Sequence, residues 1–201
     1  ISTFTSRGPT ATQGGALLKP DVSAPGQSIT SVFALSGTNS RILSGTSMAC
    51  PHVAGLMALL RQKYPVETFP PERLKALLMS TANHDLTTGT NGSGIVYSPP
   101  RVGSGRVDAA LATDSNALAR NTDGDGTVSV NFGTVPVTTT VTVTREAKIE
   151  NFSNTPHTWT TVYESSTAQP GVTVSVPQQV TVPANSSANF AVQLAVDVSL
   201  M

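Results

Sequence analysis

Apolar residues follow two different periods along the chain, and the change falls near residue 128. Before it, short apolar runs alternate with longer helical stretches. Asp21–Ala24 and Ile29–Leu35 are bounded by the turn-forming pairs Lys19-Pro20 and Pro25-Gly26, and this pattern predicts two buried strands. The mixture of strands and helices favours an α/β layered fold for this first part.

Three helices are predicted in the first part. Residues 47–64 carry apolar side chains on nearly every face, which is typical of a helix buried all round. Gly55 in its interior predicts close packing against a neighbour, because glycine there lowers helix stability. A second helix is predicted from Pro70, and a third over 107–112. The first helix is expected to start within one or two residues of Ser47, to end between Arg61 and Tyr64, and to bury Val53, Leu56 and Leu60.

After residue 128 the apolar period is two. Alternating apolar residues recur over 135–149, 172–182 and 190–198, with turn-forming residues between them. Several such strands at regular spacing predict an antiparallel β-sandwich. Residues 119–127, which are polar and rich in Gly and Asp, are expected to form a linker between a first domain of residues 1–118 and a second of residues 128–201. The expected sandwich core contains Val141, Val143, Ile149, Val192 and Leu194.

Charge and cysteine content narrow the function classes. The chain has 12 Lys+Arg and 12 Asp+Glu, so its net charge is +0, and it has no basic stripe of the kind that nucleic acid binding requires. Its longest strongly apolar stretch, Val53–Leu60, is too short to span a membrane. Cys50 is the only cysteine, and we expect it to be a small buried residue rather than a reactive thiol. Low charge with abundant Ser, Thr, Gly and Asn favours an extracellular protein, secreted or at the cell surface.

The strongest chemical signal is the segment 44–55, SGTSMACPHVAG. Gly45 permits a tight backbone approach, and Ser47 then lies at a helix start, where free N–H groups and the positive dipole end favour an anion. A serine here is more often a simple N-cap. As a nucleophile it would gain an oxyanion donor in its own N–H. Ala49 excludes the α/β-hydrolase elbow, and the lysine three residues after the serine that the penicillin-binding pattern needs is also absent.

This segment resembles the serine-bearing motif of the subtilisin-like (subtilase) family of serine peptidases. FTSRGP at 4–9 and KPDVSAPG at 19–26 resemble the family's two preceding motifs in order and spacing. GSGRVDAA at 103–110 resembles the usual end of its catalytic domain. The resemblance covers residues 1 to about 115. It implies the C-terminal portion of the α/β subtilisin-like fold, with three layers built around a parallel sheet.

The resemblance also implies roles for individual residues. Ser47 would be the nucleophile of a serine-type endopeptidase that cleaves polypeptides through an acyl-enzyme, and its backbone N–H would be one oxyanion donor. Thr46 would lie beside the oxyanion hole, and Met48 would border the leaving-group side of the cleft. His52 would be structural, because it lies five residues further along the same helix and points away from Ser47.

A peptidase of this mechanism also needs a histidine base held by a carboxylate. In the subtilisin order both precede the serine, and neither motif occurs in this chain. His84 and His157 have no matching context and are expected on the surface. We therefore expect a fragment that lacks the N-terminal part of its catalytic domain, places no histidine within reach of the Ser47 hydroxyl, and is inactive alone. Two alternatives are a catalytically dead homologue that acts as a binding module, and a surface module whose function lies in the sandwich.

Residues from about 128 resemble the fibronectin type III-like module that follows the catalytic domain in many larger subtilases. The phrase GVTVSVP at 171–177 carries much of this resemblance. A complete module has about seven strands in about 100 residues, which is longer than residues 128–201. The last one or two strands are therefore expected to be absent. An unpaired sheet edge should then lie next to the final strand.

No cofactor is predicted for this chain, and calcium is left as an option for the full-length parent. Asn121–Gly126 resembles the start of a calcium loop, but Phe132 stands where that loop needs a glutamate. Three triplets fit the pattern for N-linked glycosylation, and they begin at Asn91, Asn151 and Asn185.

Overall fold

The computed structural model of the chain describes residues 1–10, 17–124, 127–165 and 168–201. The helices are α1 (Thr46–Lys63), α2 (Pro71–Ser80), α3 (Pro99–Val102) and α4 (Ala109–Asp114), and a short 3-10 helix covers Val198–Leu200. The strands are β1 (Ile29–Val32), β2 (Ser40–Leu43), β3 (Ala117–Asn121), β4 (Val141–Asn151), β5 (His157–Thr160), β6 (Val172–Ser175), β7 (Gln179–Val182) and β8 (Ser186–Val196). No helix in the described ranges is long and apolar enough to cross a membrane.

The strands form three antiparallel sheets. β1 and β2 make a hairpin, β3-β4-β8-β6 form a four-stranded sheet in that order, and β5 pairs with β7. The expected parallel sheet is therefore wrong for the part of the chain that is described. Its one parallel contact is an isolated bridge between Ser23 and Arg106. The segment 21–24 lies against the loop around Gly105 and gains no second strand along which parallel pairing could extend.

The expected buried strand over 29–35 is exposed instead. Only Ile29–Val32 is a strand, and its sole partner is β2. Val32 is 81% exposed and Leu35 is fully exposed at the tip of the hairpin. The hairpin extends away from the core, and none of its residues belongs to the main apolar cluster among the described residues.

The main core lies between α1, α2 and β3. Its most enclosed side chains are Leu60, Leu74 and Leu77, at 1% exposure or less. The bounds of α1 and the burial of Leu56 and Leu60 confirm the predicted helix, although Val53 is only half-buried.

The expectation that α1 is buried on all faces is wrong. Leu59 is 53% exposed, and no described atom outside the neighbouring turns of α1 lies within 4 Å of a Cβ added at Gly55, so the predicted close packing there is also wrong. The reason is that α2 and α4 cover only one side of α1. The opposite side has no partner in the part of the chain described.

The predicted antiparallel strands of the second half are confirmed. The β5–β7 sheet packs over one end of β4 and β8, where Ile149, Val180 and Val182 are buried with Trp159, Ala188 and Phe190 around them. Of the five residues predicted for the core, Ile149 is buried and the other four are half-buried: Val141, Val143, Val192 and Leu194. β5 and β7 have only four residues each, so they leave the far end of that shared face partly open. The final strand β8 lies inside its sheet, and β6 is the edge beside it, without a further partner in the ranges described.

A dense junction joins the two halves of the chain. Residues 119–121, which the sequence places in a linker, belong to β3 and pair with β4, because the Ser80 hydroxyl and α2 support them from the other side. Phe152 packs edge-on against both Tyr64 and Phe69. Residues 125 and 126 of that expected linker lie outside the described residues. The domain boundaries themselves stay a prediction.

Candidate active site

Ser47 is the second residue of α1 and is exposed to solvent. The helix begins at Thr46, and its N-cap residue is Gly45, so Ser47 is not the N-cap. No side chain caps this end, and the first turn contains no acidic residue. The Ser47 N–H in this first turn is therefore open to an outside acceptor, at the positive end of an 18-residue helix.

The hydroxyl and the backbone N–H of Ser47 have no hydrogen-bond partner within the described part of the chain. Thr46 beside it is exposed, and Met48 is half-buried with its N–H bonded to the Gly45 carbonyl at 3.0 Å. A hydroxyl and an N–H on one exposed residue can serve as a nucleophile and an oxyanion donor for the same carbonyl group.

A loop of residues 25–28 holds the chain just before the helix. The Gly45 N–H donates to the Gly26 carbonyl at 2.8 Å, and the Ser28 N–H donates to the Ser44 hydroxyl at 2.8 Å. The predicted tight approach exists, but the glycine that makes room for it is Gly26. A Cβ added at Gly26 would lie 2.8 Å from the Gly45 carbonyl oxygen, whereas one at Gly45 would meet nothing closer than 3.7 Å. Sequence reasoning gave Gly26 no role, and its one signal was the Pro-Gly pair in the second motif.

A cleft of about 590 Å³ opens beside the start of α1. Thr46, Ala49 and Cys50 form the helix side of its wall, and the other walls are mostly apolar. Arg106 is the charged side chain among the described lining residues, and sequence reasoning did not identify it. It is paired with Asp85, whose carboxylate accepts its Nη2 at 2.5 Å and its Nε at 3.2 Å. This hydrogen bonding lowers the pKa of Asp85 and raises that of Arg106.

No histidine in the described residues bonds to Ser47. The His52 Nδ1 lies 2.9 Å from the Met48 carbonyl oxygen and therefore donates a proton to it, which confirms that this ring is engaged by its own helix. His84 and His157 are both exposed, as predicted. His157 contacts the Thr155 hydroxyl at 3.2 Å, far along the chain from Ser47.

Cys50 is exposed, so the expectation that it is buried is wrong. The Cys50 side of the helix instead forms part of the cleft wall.

The described residues contain no group of three or more His, Cys, Asp or Glu that could hold a metal ion. In the calcium-like segment, the Asn121 amide donates to the Thr127 hydroxyl and the Ser129 carbonyl, while Asp125 and Gly126 lie outside the described residues.

Among the glycosylation triplets, Asn151 is 2% exposed and its amide donates to three carbonyl oxygens, so a transferase could not reach it in the folded chain. Asn91 and Asn185 are exposed.

Comparison with known proteins identifies the family to which this arrangement belongs. The profile of the subtilase family, Peptidase_S8, matches residues 1–134. The subtilisin-like protease SBT2.6 of Arabidopsis thaliana is 30% identical over 198 residues, which cover 87% of this chain and 23% of the relative. A C5a peptidase of Streptococcus pyogenes serotype M6 is 36% identical over an alignment 214 residues long. The alignment covers 96% of this chain and 17% of the relative.

The chain spans less than a quarter of the length of these curated relatives. The matched residues 1–134 nevertheless include the whole of α1 with Ser47, the 25–28 loop and the 103–110 segment. The chain belongs to the subtilase family of peptidases.

Proposed function

We propose that this chain contributes the nucleophile of a serine-type endopeptidase. The observation that carries the proposal is the position of Ser47, exposed at the uncapped start of α1 with its hydroxyl and N–H both unbonded within the described residues. Family membership and the likeness to subtilisin-like proteases support the same chemistry. The substrates are polypeptides.

The proposed reaction has two steps at Ser47. The hydroxyl oxygen attacks the substrate carbonyl carbon and loses its proton to a base, while the Ser47 N–H donates to the oxygen that becomes negative. The peptide C–N bond then breaks, the base returns the proton to the leaving amine, and water later releases the acyl group by the same route. Thr46 lies beside the oxyanion and Met48 borders the leaving group.

We propose that the base and its carboxylate come from an N-terminal part of the same catalytic domain, and that this chain alone is inactive. His52 is a poor candidate for the base because its ring makes no hydrogen bond to Ser47 among the described residues, and its Nδ1 bonds back to the Met48 carbonyl of its own helix. Without a base, a serine hydroxyl is a weak nucleophile at neutral pH. An exposed, unobstructed Ser47 argues against a catalytically dead homologue that acts only as a binding module.

We propose that residues 128–201 form a fibronectin type III-like module, and that the protein acts outside the cell. The packing of the β5–β7 sheet on β4 and β8 supports a sandwich of this general kind. The low charged fraction of 12% fits an extracellular location.

The test is hydrolysis of an unfolded protein substrate by the full-length protein that contains this chain. Ser47→Ala should lower kcat by about 10⁴-fold or more, because the nucleophile is removed. His52→Gln, in which the helix contact changes but no triad member is lost, should lower kcat by less than about tenfold. Activity that survives Ser47→Ala, or that disappears equally in His52→Gln, would refute the assignment.

A further inference from the structure

We propose that Gly26 and Ser44 are positioning residues, which fix the first turn of α1 and thereby the place of the Ser47 hydroxyl. The inference rests on the proposed function of Ser47. Neither residue touches the reacting atoms, and each acts through the backbone just before the helix.

Two hydrogen bonds connect the 25–28 loop to consecutive residues ahead of Ser47. The Gly26 carbonyl accepts the Gly45 N–H, and the Ser44 hydroxyl accepts the Ser28 N–H, each at 2.8 Å. Ser28 itself adopts a left-handed φ of 55°, a conformation that serine seldom takes. Its N–H is thereby directed at Ser44, so the side chain of Ser44 has a specific local partner.

The loop approaches the helix too closely for any side chain at residue 26. A Cβ there would lie 2.8 Å from the Gly45 carbonyl oxygen and 3.2 Å from the Ala49 Cβ. The φ of Gly26 is outside the left-handed region, so glycine is required there for room and not for backbone conformation.

The atom that would be displaced belongs to the first helical turn. The Gly45 carbonyl accepts the Met48 N–H at 3.0 Å, so a shift of this oxygen disturbs both its own peptide group, before Thr46, and the peptide group after Ser47. No side-chain cap resists such a shift, because Gly45 supplies none. In the described structure the 25–28 loop is therefore the support that sets where the helix begins.

The expected kinetic effect follows from the sensitivity of reaction rates to geometry. Misplacement of a reacting group by about 1 Å costs about 10²-fold in rate. A displaced first turn would misplace the Ser47 hydroxyl and its N–H together. Gly26 is itself one of the residues that line the cleft, but an added methyl leaves the other, mostly apolar walls in place, so the larger loss should fall on the chemical step.

The test is inactivation of the full-length protein by a fluorophosphonate probe, with the maximal inactivation rate kinact separated from the half-saturation concentration KI. Gly26→Ala should lower kinact by about 10- to 100-fold while KI changes by less than about threefold. Ser44→Ala should lower kinact by about two- to fivefold, since it removes one hydrogen bond and adds no clash. Gln62→Ala is the control, because its exposed side chain lies near the C-terminal end of α1, outside the cleft lining and the 25–28 loop, and its kinact should stay within about twofold of wild type.

A double variant, Gly26→Ala with Ala49→Gly, removes one of the two close contacts and should recover part of kinact. Such recovery, and the split between kinact and KI, would not follow from a loss of fold stability alone. Wild-type kinact in folded Gly26→Ala would overturn this inference, and if that variant fails to fold, unchanged kinact in Ser44→Ala would overturn it. Failure of the wild-type protein to label at Ser47 would instead refute the proposed function.

Discussion

The two ends of α1 lie in contrasting surroundings. At the C-terminal end Leu60 is fully buried, and Tyr64 stacks on Phe69 with ring centroids 4.5 Å apart. At the N-terminal end Ser47 and Cys50 are exposed, and the neighbouring hairpin projects apolar side chains into solvent. One helix is thus anchored at one end by side-chain packing, and at the other by backbone contacts with the 25–28 loop. The proposed nucleophile, Ser47, lies at the end with few side-chain contacts.

Two ion pairs between the two halves of the chain lie near this end of α1, and both are made by Glu150. Glu150 on β4 lies 2.8 Å from Nε of both Arg73 and Arg120, with its side chain 13% exposed. The Arg73 contact is close in distance but off the line of a hydrogen bond, so it acts as an ion pair. The guanidinium of Arg73 also lies over the Phe69 ring at 4.2 Å. The stability of the α1 C-terminus therefore depends on residues of the β-rich half.

The largest effect should come from truncating the anchored end. Leu60→Ala should lower the free energy of unfolding of the chain by about 2–5 kcal/mol, because it leaves a cavity in a fully buried site. Leu59→Ala is the matched control on the same helix, and since Leu59 is 53% exposed it should cost less than about 1 kcal/mol. Urea denaturation followed by circular dichroism measures both. Equal losses would show that the two faces of α1 do not differ as described.

The next largest effect should follow from removing the charge that links the halves. Glu150→Gln should lower the free energy of unfolding by about 1–3 kcal/mol, because two partly buried guanidinium groups lose their counter-charge. Glu67→Gln, at an exposed site, should change it by less than about 0.5 kcal/mol. The effect of Glu150→Gln should also shrink little in high salt, since the pair is largely shielded from solvent. A neutral result would mean that packing alone joins the two halves.

A smaller effect of opposite sign is expected on the open face of α1. Gly55→Ala should raise the free energy of unfolding of this chain by about 0.5–1 kcal/mol, because alanine favours the helix and the added methyl meets nothing within 4 Å. Thermal unfolding of the chain measures the change. Destabilisation would show that this face is packed against something, as the sequence pattern alone predicts.

The smallest effect concerns pH and the start of α4. Hydrogen bonds from the Leu111 N–H and the Asn83 amide lower the pKa of Asp108 in the folded state. A lowered folded pKa gives stability that is present above the unfolded value of about 3.9 and is lost as pH falls through the folded value. Asp108→Asn should therefore lower Tm at pH near 6 by a small amount, and the difference should vanish in acid. A difference that persists at a pH below both pKa values would contradict the assignment.

Sequence reasoning predicted what depends on local chemistry and missed what depends on distant partners. The start of α1 near Ser47 and its end at Lys63 follow from a motif and an apolar period within one segment. Exposure of Val32 and Leu35 could not be predicted, because a buried and an unpartnered strand have the same apolar pattern. Likewise residues 119–121 of β3 were assigned to a linker, since the pairing of β3 with β4 joins residues about 30 positions apart.

The close contact at Gly26 shows the same limit within the candidate site. A glycine that makes room for a backbone 19 residues later shows in the local pattern only as part of a Pro-Gly turn pair, whereas the glycine beside the nucleophile belongs to the serine motif itself. The sequence therefore predicted a tight approach at the correct place and assigned it to the wrong residue. The nucleophile itself could be proposed from sequence because its motif is continuous.

The most direct measurement is mass-spectrometric mapping of a fluorophosphonate adduct on this 201-residue chain and on the longer protein that we propose contains it. We expect stoichiometric labelling at Ser47 in the longer protein, its loss in Ser47→Ala, and no labelling of the chain alone. The reason is that none of its described histidines bonds to the Ser47 hydroxyl. Labelling at a residue other than Ser47, or stoichiometric labelling of the chain alone, would contradict it.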